Sequence, residues 1–295
     1  MNNNTAFIFF AFLIGSMSFY SSGYTAQEER SCMASPQNVE EKIRDMMEHD
    51  LSYYARVINF NNSTNLWLSG APILFTSFVF SSHYSDEKTT TEIISLVKQQ
   101  AKTLNVPIIW WVTPNTLPHT MRDLLMAQEF SFVSTWYGML CFLDEIPHYN
   151  LYDTNVAIKR ITDPHQITSW IQILGPSFGL DDTLTIKYSN AIKEKDFNTS
   201  SYEHFGAFLN NEIVATGSIL LNGDNVWVAN ISTHPSFRKR GIATQLVHAL
   251  LHRARELGVK YAVLLSTPDG ASIYQKVGFK KIFDIEMYCI NNPVL

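Results

Sequence analysis

A basic, glycine-containing turn in the second half of the chain has residue types that bind phosphate. Residues 233–244 read THPSFRKRGIAT, and they lie between a predicted strand and the strongest helical pattern in the sequence. The first N–H groups of a helix have no partner within it, and the helix dipole favours an anion there. Gly241 lets a phosphate approach the main chain, and Ala243 keeps the next turn small. The segment therefore predicts an anion site.

Three consecutive basic residues add a local positive field to this turn. Arg238, Lys239 and Arg240 stand in a chain with 22 basic and 27 acidic residues, a net charge of −5. That balance argues against a general nucleic-acid-binding protein. The turn lacks the Gly-Lys-Ser/Thr ending of a P-loop and the three glycines of dinucleotide sites. Taken alone, it could equally be an ordinary strand–helix connection with a solvated basic cluster.

An ordered series of strands and helices surrounds the turn. Residues 241–257 have apolar positions at helical spacing, Gly258 ends that helix, and an apolar strand follows at 261–265. The other predicted elements of this half are strands at 156–161, 204–209, 213–221, 226–230 and 282–290, and helices at 165–174 and 271–277. With 46% hydrophobic residues, the chain is not a long disordered one.

The first half repeats part of this order. Predicted helices at 90–104 and 121–128 alternate with strands at 106–112 and 137–143. Leu125 takes the position of Tyr274, and residues 81–88 contain neither glycine nor arginine where the basic turn would fall. One structural unit used twice explains this order, with a boundary in the polar segment 144–150.

The run from Arg238 to Ala243 resembles the Q/R-x-x-G-x-G/A signature of the GCN5-related N-acetyltransferase (GNAT) family. The following helix, the strand at 261–265, and Tyr274 ahead of Gly278-Phe279 match the family's next elements in order, so the resemblance covers residues 156–290. It implies an α/β (α+β) fold of two tandem GNAT-like domains, each a mixed, mostly antiparallel sheet flanked by helices. Residues 33–150 would be the degenerate copy, and residues 151–295 the catalytic domain.

The resemblance also implies a reaction. An acetyl group would pass from acetyl-CoA to a primary amine by direct attack, with no metal and with Tyr274 as general acid beside the sulfur. A tyrosine packed against the closing strand is the alternative for that residue. Thr267 stands where many relatives have an asparagine that contacts the CoA arm. The implied cofactor-binding residues are Ile231, Ser232, Thr233, Arg238, Lys239, Arg240, Gly241, Ile242, Ala243 and Thr244.

Two questions remain open at this stage, the general base and whether the protein is an enzyme. The general base could be Glu203, His204 or His234, or water could relay the proton. A non-catalytic module that binds acyl-CoA or a partner protein is the alternative to an enzyme. The histidines show no metal spacing, and His248 with His252 is only an i, i+4 pair on a helix.

The first 32 residues are left out of the fold prediction. Residues 6–15 form an apolar run that is too short to span a membrane and suits the core of a signal peptide, although no basic residue precedes Arg30. A second interpretation is that translation begins at Met33. Because acetyl-CoA is an intracellular metabolite, we expect a cytoplasmic protein without stable membrane insertion, with export as the alternative. Three distant cysteines do not indicate a disulfide framework.

Overall fold

A computed structural model describes residues 25–291, apart from residues 53–54, 62–63, 70–75, 81–83, 85, 149–154, 184, 187–188 and 191–200. The helices are α1 (Ala26–Met33), α2 (Pro36–Ser52), α3 (Glu87–Leu104), α4 (Met121–Ala127), α5 (Gln166–Leu174), α6 (Ile242–Glu256) and α7 (Ala271–Lys276). The strands are β1 (Arg56–Asn61), β2 (Thr64–Leu68), β3 (Phe78–Val79), β4 (Ile108–Val112), β5 (Ser131–Phe142), β6 (Ala157–Arg160), β7 (Tyr202–Leu209), β8 (Glu212–Asn222), β9 (Asn225–Thr233), β10 (Tyr261–Ser266) and β11 (Lys280–Ile290).

All strands of the described residues belong to one mixed sheet. Its eleven strands follow the order β1-β2-β3-β4-β11-β5-β10-β9-β8-β7-β6. The neighbours β3–β4 and β9–β10 run parallel, and the remaining neighbours run antiparallel. The predicted class, a mostly antiparallel sheet flanked by helices, is confirmed.

The two halves of the chain exchange strands in the middle of this sheet. Strand β5 lies between β10 and β11, and strand β11 lies between β4 and β5. Every strand neighbour of β11 therefore comes from the N-terminal half. The domain boundary near residue 150 stays a prediction, and residues 149–154 lie outside the described part.

The internal repeat predicted from the sequence is present in the element order. The series β3-α3-β4-α4-β5 corresponds to β9-α6-β10-α7-β11, and each series contains one parallel strand pair at the same step. Leu125 on α4 is fully buried against Ile94 and Trp110, as expected for a core residue in place of Tyr274. Both copies thus keep the same framework.

Helices cover both faces of the sheet. Helix α6 packs one face with Leu246 and Leu250, while α2 packs the other with Ile43 and Met46. The buried apolar positions of α2 and α6 recur at helical spacing, as in Val39-Ile43-Met46 and Val247-Leu250-Ala254, so that one side of each helix faces the sheet. Residues on the same strand consequently point either to the α6 face or to the α2 face.

The predicted leader is described only from residue 25. Its apolar run at 6–15 lies outside the described residues, and the choice between a signal peptide and a start at Met33 stays a prediction. Residues 26–33 form α1, which begins with a capping box of Thr25 and Glu28. Arg30 forms ion pairs with Asp144 and Glu145, so α1 contacts the segment that follows β5. No helix in the described ranges has the length and apolar content of a membrane span.

Candidate active site

Strands β9 and β10 open a cleft in the sheet. They pair in parallel over only three positions, the last of which joins Val263 to Trp227. Both strands continue beyond this point, but each keeps only its outer neighbour: β8 pairs with β9 as far as Thr233, and β5 pairs with β10 as far as Ser266. The main-chain groups on the inner edges are thereby left facing a gap.

A β-bulge lies on β9 at this gap. The register with β8 shifts between Thr216 and Ser218, and Asn230 adopts a left-handed φ of 58°. The Thr216 hydroxyl donates a hydrogen bond of 2.8 Å to the Asn230 carbonyl. A bulge turns the following main chain out of the ladder. Residues Ile231 to Thr233 therefore run along the cleft with a direction set by Asn230.

Helix α6 starts without a side-chain cap. Gly241 is its N-cap residue with a φ of 80°, and no side chain accepts from the first turn. The first intrahelical bond is from Gln245 N to Gly241 O, at 3.0 Å. The N–H groups of Ile242, Ala243 and Thr244 have no acceptor among the described residues, and the first turn contains no acidic residue. An uncapped helix start without acidic residues favours an anion, because its N–H groups and the helix dipole attract negative charge.

Two of the three basic side chains hold the shape of the turn. The Nε of Arg238 donates to the Thr233 carbonyl at 3.0 Å, and Arg240 lies over the ring of Phe237 at 5.2 Å. Lys239 has a φ of 62°, a left-handed conformation that costs a residue with a Cβ about 1 kcal/mol or more. The sequence indicated the charge of these residues but not their contribution to the backbone conformation.

Tyr274 lies on α7, which packs against α6. Its ring contacts that of Phe279, the residue just before β11, edge-on at 6.0 Å between centroids. Its hydroxyl has no hydrogen-bond partner in the described part of the chain. Burial raises the pKa of Tyr274 above its ordinary 10.0, so the phenol stays protonated at neutral pH. The Tyr274 ring is thus fixed by packing, while its protonated hydroxyl makes no hydrogen bond within the described residues.

The side chains of residues 231–233 fasten β9 to its surroundings. The Ser232 hydroxyl donates to the Ile173 carbonyl at 3.0 Å and lies 2.7 Å from the Ser177 hydroxyl. The Thr233 hydroxyl oxygen is buried with no partner in the described residues. Ile231 is half-buried near Gly217. These contacts link β9 to the end of α5 and leave the main chain to face the cleft.

The three candidate bases have different surroundings. Glu203 is buried on the α6 face and binds Arg253 at 2.9 and 3.0 Å and Arg160 at 3.0 Å. His234 accepts a hydrogen bond from Ser236 N at 3.3 Å and thus caps a local turn. Both are engaged in structural contacts.

His204 is the third candidate base, and it is buried on the opposite face of the sheet. Its ring centroid lies 4.7 Å from that of Tyr202 and 4.9 Å from that of Trp170. Its Nδ1 lies 2.8 Å from the Ser218 hydroxyl. The ring is held between two aromatic side chains in a hydrogen-bonded group on the α2 face.

The N-terminal copy has an acidic residue where the C-terminal copy has the uncapped start of α6. Asp86 caps α3, and its Oδ1 accepts from Thr89 N at 2.8 Å. Glu87 occupies the first turn and accepts from the Thr120 hydroxyl at 2.6 Å. A phosphate at this helix end would meet two carboxylates. Residues 81–83 and 85 lie outside the described part, and the degenerate site at 81–88 stays a prediction, with which the two carboxylates at the start of α3 agree.

A third carboxylate lies at the end of β4, which corresponds to β10. Glu40 of α2 accepts from the Thr113 hydroxyl and from the Asn115 amide, each at 2.7 Å. Its side chain is buried. Glu40 therefore binds the chain just after β4, next to the parallel pair of the N-terminal copy.

Residues 167–279 match the acetyltransferase (GNAT) family. Over these residues the chain is similar to a GNAT domain. An uncharacterized N-acetyltransferase, ycf52 of Pyropia yezoensis, is 32% identical over 60 residues, which is 20% of this chain and 34% of that protein. The ycf52 protein of Porphyra purpurea matches with the same identity over the same length. The chain thus spans about a third of the length of these curated relatives.

Solved structures share the fold over both halves of the chain. A GCN5-related N-acetyltransferase from Kribbella flavida superposes with a TM-score of 0.68 at 14% identity, covering 86% of this chain and 96% of that one. A tandem GNAT protein from the clavulanic acid biosynthesis pathway superposes with a TM-score of 0.57 at 12% identity, covering 78% and 79%. At these identities the likeness concerns the fold alone, and it extends over both halves of this chain. Among the described residues, no group of three His, Cys, Asp or Glu side chains could hold a metal ion.

Proposed function

We propose that the protein is an acetyl-CoA-dependent N-acetyltransferase with one cofactor site, in its C-terminal GNAT domain. The observation that carries the proposal is the uncapped start of α6, next to the gap between β9 and β10. The N–H groups of Ile242, Ala243 and Thr244 would bind the diphosphate of acetyl-CoA. The exposed side chains at 238–240 would add attraction for its charge.

The cleft between β9 and β10 suits the extended pantetheine arm. The main chain of Ile231 to Thr233 offers hydrogen-bonding groups along the inner edge of β9. A main-chain N–H aimed at the thioester carbonyl would stabilise the oxyanion of the tetrahedral intermediate. One such donor contributes about 3 kcal/mol to lowering the barrier.

The proposed reaction needs two proton transfers. A neutral amine attacks the carbonyl carbon, a C–N bond forms, and the C–S bond breaks as the tetrahedral intermediate collapses. Tyr274 donates its proton to the leaving sulfur, while the amine loses a proton to water or to a nearby base. The phenol of Tyr274 carries its proton at neutral pH, because burial raises a pKa that is ordinarily already 10.0.

A single cofactor site per chain follows from the contrast between the two copies. Helix α3 starts with Asp86 and Glu87, whereas α6 starts with Gly241 and no acidic residue. Since acetyl-CoA is an intracellular metabolite, the proposed activity also favours a cytoplasmic location. Detection of the natural protein in a cytoplasmic fraction would support this location, and recovery in the medium would contradict it.

The test is to measure binding and turnover separately. Titration calorimetry with acetyl-CoA gives affinity and stoichiometry, and a thiol reagent reports CoA release with a panel of primary amines. We expect one acetyl-CoA per chain and amine-dependent CoA release. Binding without release on any amine would favour the non-catalytic acyl-CoA-binding module, and absence of binding would contradict both.

A further inference from the structure

A chain of hydrogen bonds joins the N-terminal half to the bulge on β9. The Asn230 amide donates to the Tyr202 hydroxyl at 3.1 Å, and the Tyr202 hydroxyl donates to Asp50 Oδ1 at 3.0 Å. Asp50 lies on α2, far from the other two residues in sequence. Tyr202 is buried, while Asn230 and Asp50 are half-buried. The contact therefore crosses from one half of the protein to the cleft of the other.

The side-chain amide of Asn230 donates a second hydrogen bond as well. Its nitrogen also donates to the Ser218 hydroxyl at 3.2 Å, and that hydroxyl lies 2.8 Å from His204 Nδ1. The main-chain carbonyl of Asn230 accepts from Thr216. Both amide hydrogens are used, which leaves the Tyr202 proton to Asp50 and fixes the direction of that bond.

This network matters because Asn230 has an unfavourable conformation at the critical point of β9. A left-handed φ of 58° needs support from the surroundings, although asparagine tolerates it better than most residues. A hydrogen bond to a carboxylate is roughly twice as strong as one between neutral groups. Asp50 therefore supplies the strongest link in the chain that holds the bulge.

Resting on the proposed function, we propose that Asp50 is a positioning residue that the N-terminal half contributes to the active site. It acts through Tyr202 on Asn230 and so sets the direction of the main chain at 231–233 that would polarise the thioester. The degenerate copy would then be required for catalysis although it binds no cofactor. We expect the start of α6, where Gly241 follows Thr233 by eight residues, to be unaffected.

The experiment compares the full-length chain with Asp50→Ala, Asp50→Asn and Tyr202→Phe. Asp45→Ala is the matched control, because Asp45 is exposed on the same helix. We expect Asp50→Ala and Tyr202→Phe to lower kcat on the order of tenfold to a hundredfold, as misplacement of reacting groups does. KM for acetyl-CoA should change little. Asp50→Asn should retain most of kcat, since its amide oxygen can accept the same hydrogen bond from Tyr202.

A double variant and an exchange measurement separate positioning from other roles. The double variant Asp50→Ala/Tyr202→Phe should have a kcat no lower than that of either single variant, because both substitutions break the same series of hydrogen bonds. Amide hydrogen exchange at residues 229–232 should accelerate in Asp50→Ala and Tyr202→Phe and not in Asp45→Ala. If Asp50→Ala does not fold, Tyr202→Phe, which removes a single oxygen, still decides the matter.

Several results would overturn the inference. If Tyr202→Phe had the kcat and the amide exchange of the wild type, the hydrogen bonds from Asp50 through Tyr202 would not position the bulge at Asn230. An Asp50→Asn variant as slow as Asp50→Ala, with normal exchange, would show that the carboxylate acts by its charge or by taking a proton. If none of the amines tested makes the wild type release CoA, the proposed function fails. The exchange data still test whether Asp50 and Tyr202 hold the bulge in place.

Discussion

At the scale of single residues, the candidate site depends on backbone conformations that few side chains favour. Lys239, Gly241 and Asn230 all have a positive φ, and they lie on the two segments that would contact acetyl-CoA. Strained backbone held by its surroundings is common where a protein pre-organises a ligand site. The motif indicated Gly241 beforehand. It could not indicate Asn230, because the support for that residue comes from β7, β8 and α2, which are distant in sequence.

Replacement of Gly241 tests the anion site directly. Gly241→Val places a branched side chain at a φ of 80° beside the open N–H groups, so we expect the dissociation constant for acetyl-CoA to rise by at least about tenfold. Gly258→Val is the matched control, because Gly258 has a φ of 82° beyond the other end of α6 and a Cβ there would meet open space. Both variants should lose stability, but only the first should lose affinity in calorimetry. Equal affinity in the two would contradict the site.

Removal of the Tyr274 hydroxyl tests the proposed acid. We expect Tyr274→Phe to lower kcat by about 10²-fold or more, with unchanged affinity for acetyl-CoA, because the ring packing on Phe279 is kept. Tyr288→Phe serves as the control, since that hydroxyl binds Glu286 beside β4. Wild-type kcat in Tyr274→Phe would reject the acid role.

The raised pKa of Tyr274 predicts a pH dependence as well. The phenol stays neutral below its ordinary pKa of 10.0, so kcat should show no alkaline decline from this group between pH 7 and pH 10. The stabilisation linked to the neutral phenol is present below pH 10 and is lost as pH rises further. A kcat profile that falls near pH 8 in the wild type and is flat in Tyr274→Phe would contradict this assignment.

At the scale of elements, the two helix starts explain why one copy of the repeat has the candidate site. Helix α3 has an aspartate cap, and α6 has a glycine without a cap. Helical periodicity predicted both helices, and the buried strand at 261–265 was predicted within one residue of β10. The sequence analysis assigned no element before residue 90, so it missed α2 and β1 to β3. The apolar residues Val39, Ile43, Met46 and Leu51 have helical spacing, so α2 could have been predicted. Strands β1 to β3 have only 6, 5 and 2 residues, too few for alternation to decide, and tertiary packing determines their structure.

The cap of α3 gives a prediction at this scale. Asp86→Ala removes a hydrogen bond to Thr89 N and should lower the free energy of unfolding by about 1 kcal/mol. The stoichiometry of acetyl-CoA should remain one per chain, because Glu87 still occupies the first turn of α3. Thermal denaturation and calorimetry check the two parts. The appearance of a second acetyl-CoA site in this variant would show that the Asp86 carboxylate alone had closed the N-terminal copy.

At the scale of the whole molecule, the repeat is interlocked rather than placed end to end. Strand β5 of the first half completes the sheet beside β10, and both neighbours of β11 come from the first half. The repeat itself could be predicted from the matching order of helices and strands in the two halves. Strand exchange could not, because pairing between strands far apart in sequence leaves no local pattern.

Separation of the halves tests this interlocking. Residues 151–295 expressed alone lack the partners of β11 and expose the edge of β10, so we expect aggregation or exchange between copies rather than a folded monomer. Co-expression with residues 25–150 should restore a soluble pair that binds acetyl-CoA, because strand pairing needs no covalent link. A full-length chain cleaved at a protease site inserted at residue 150 is the control and should remain assembled. A monomeric 151–295 fragment with full affinity would show that β11 can fold back beside β10, and that the first half is dispensable for the cofactor site.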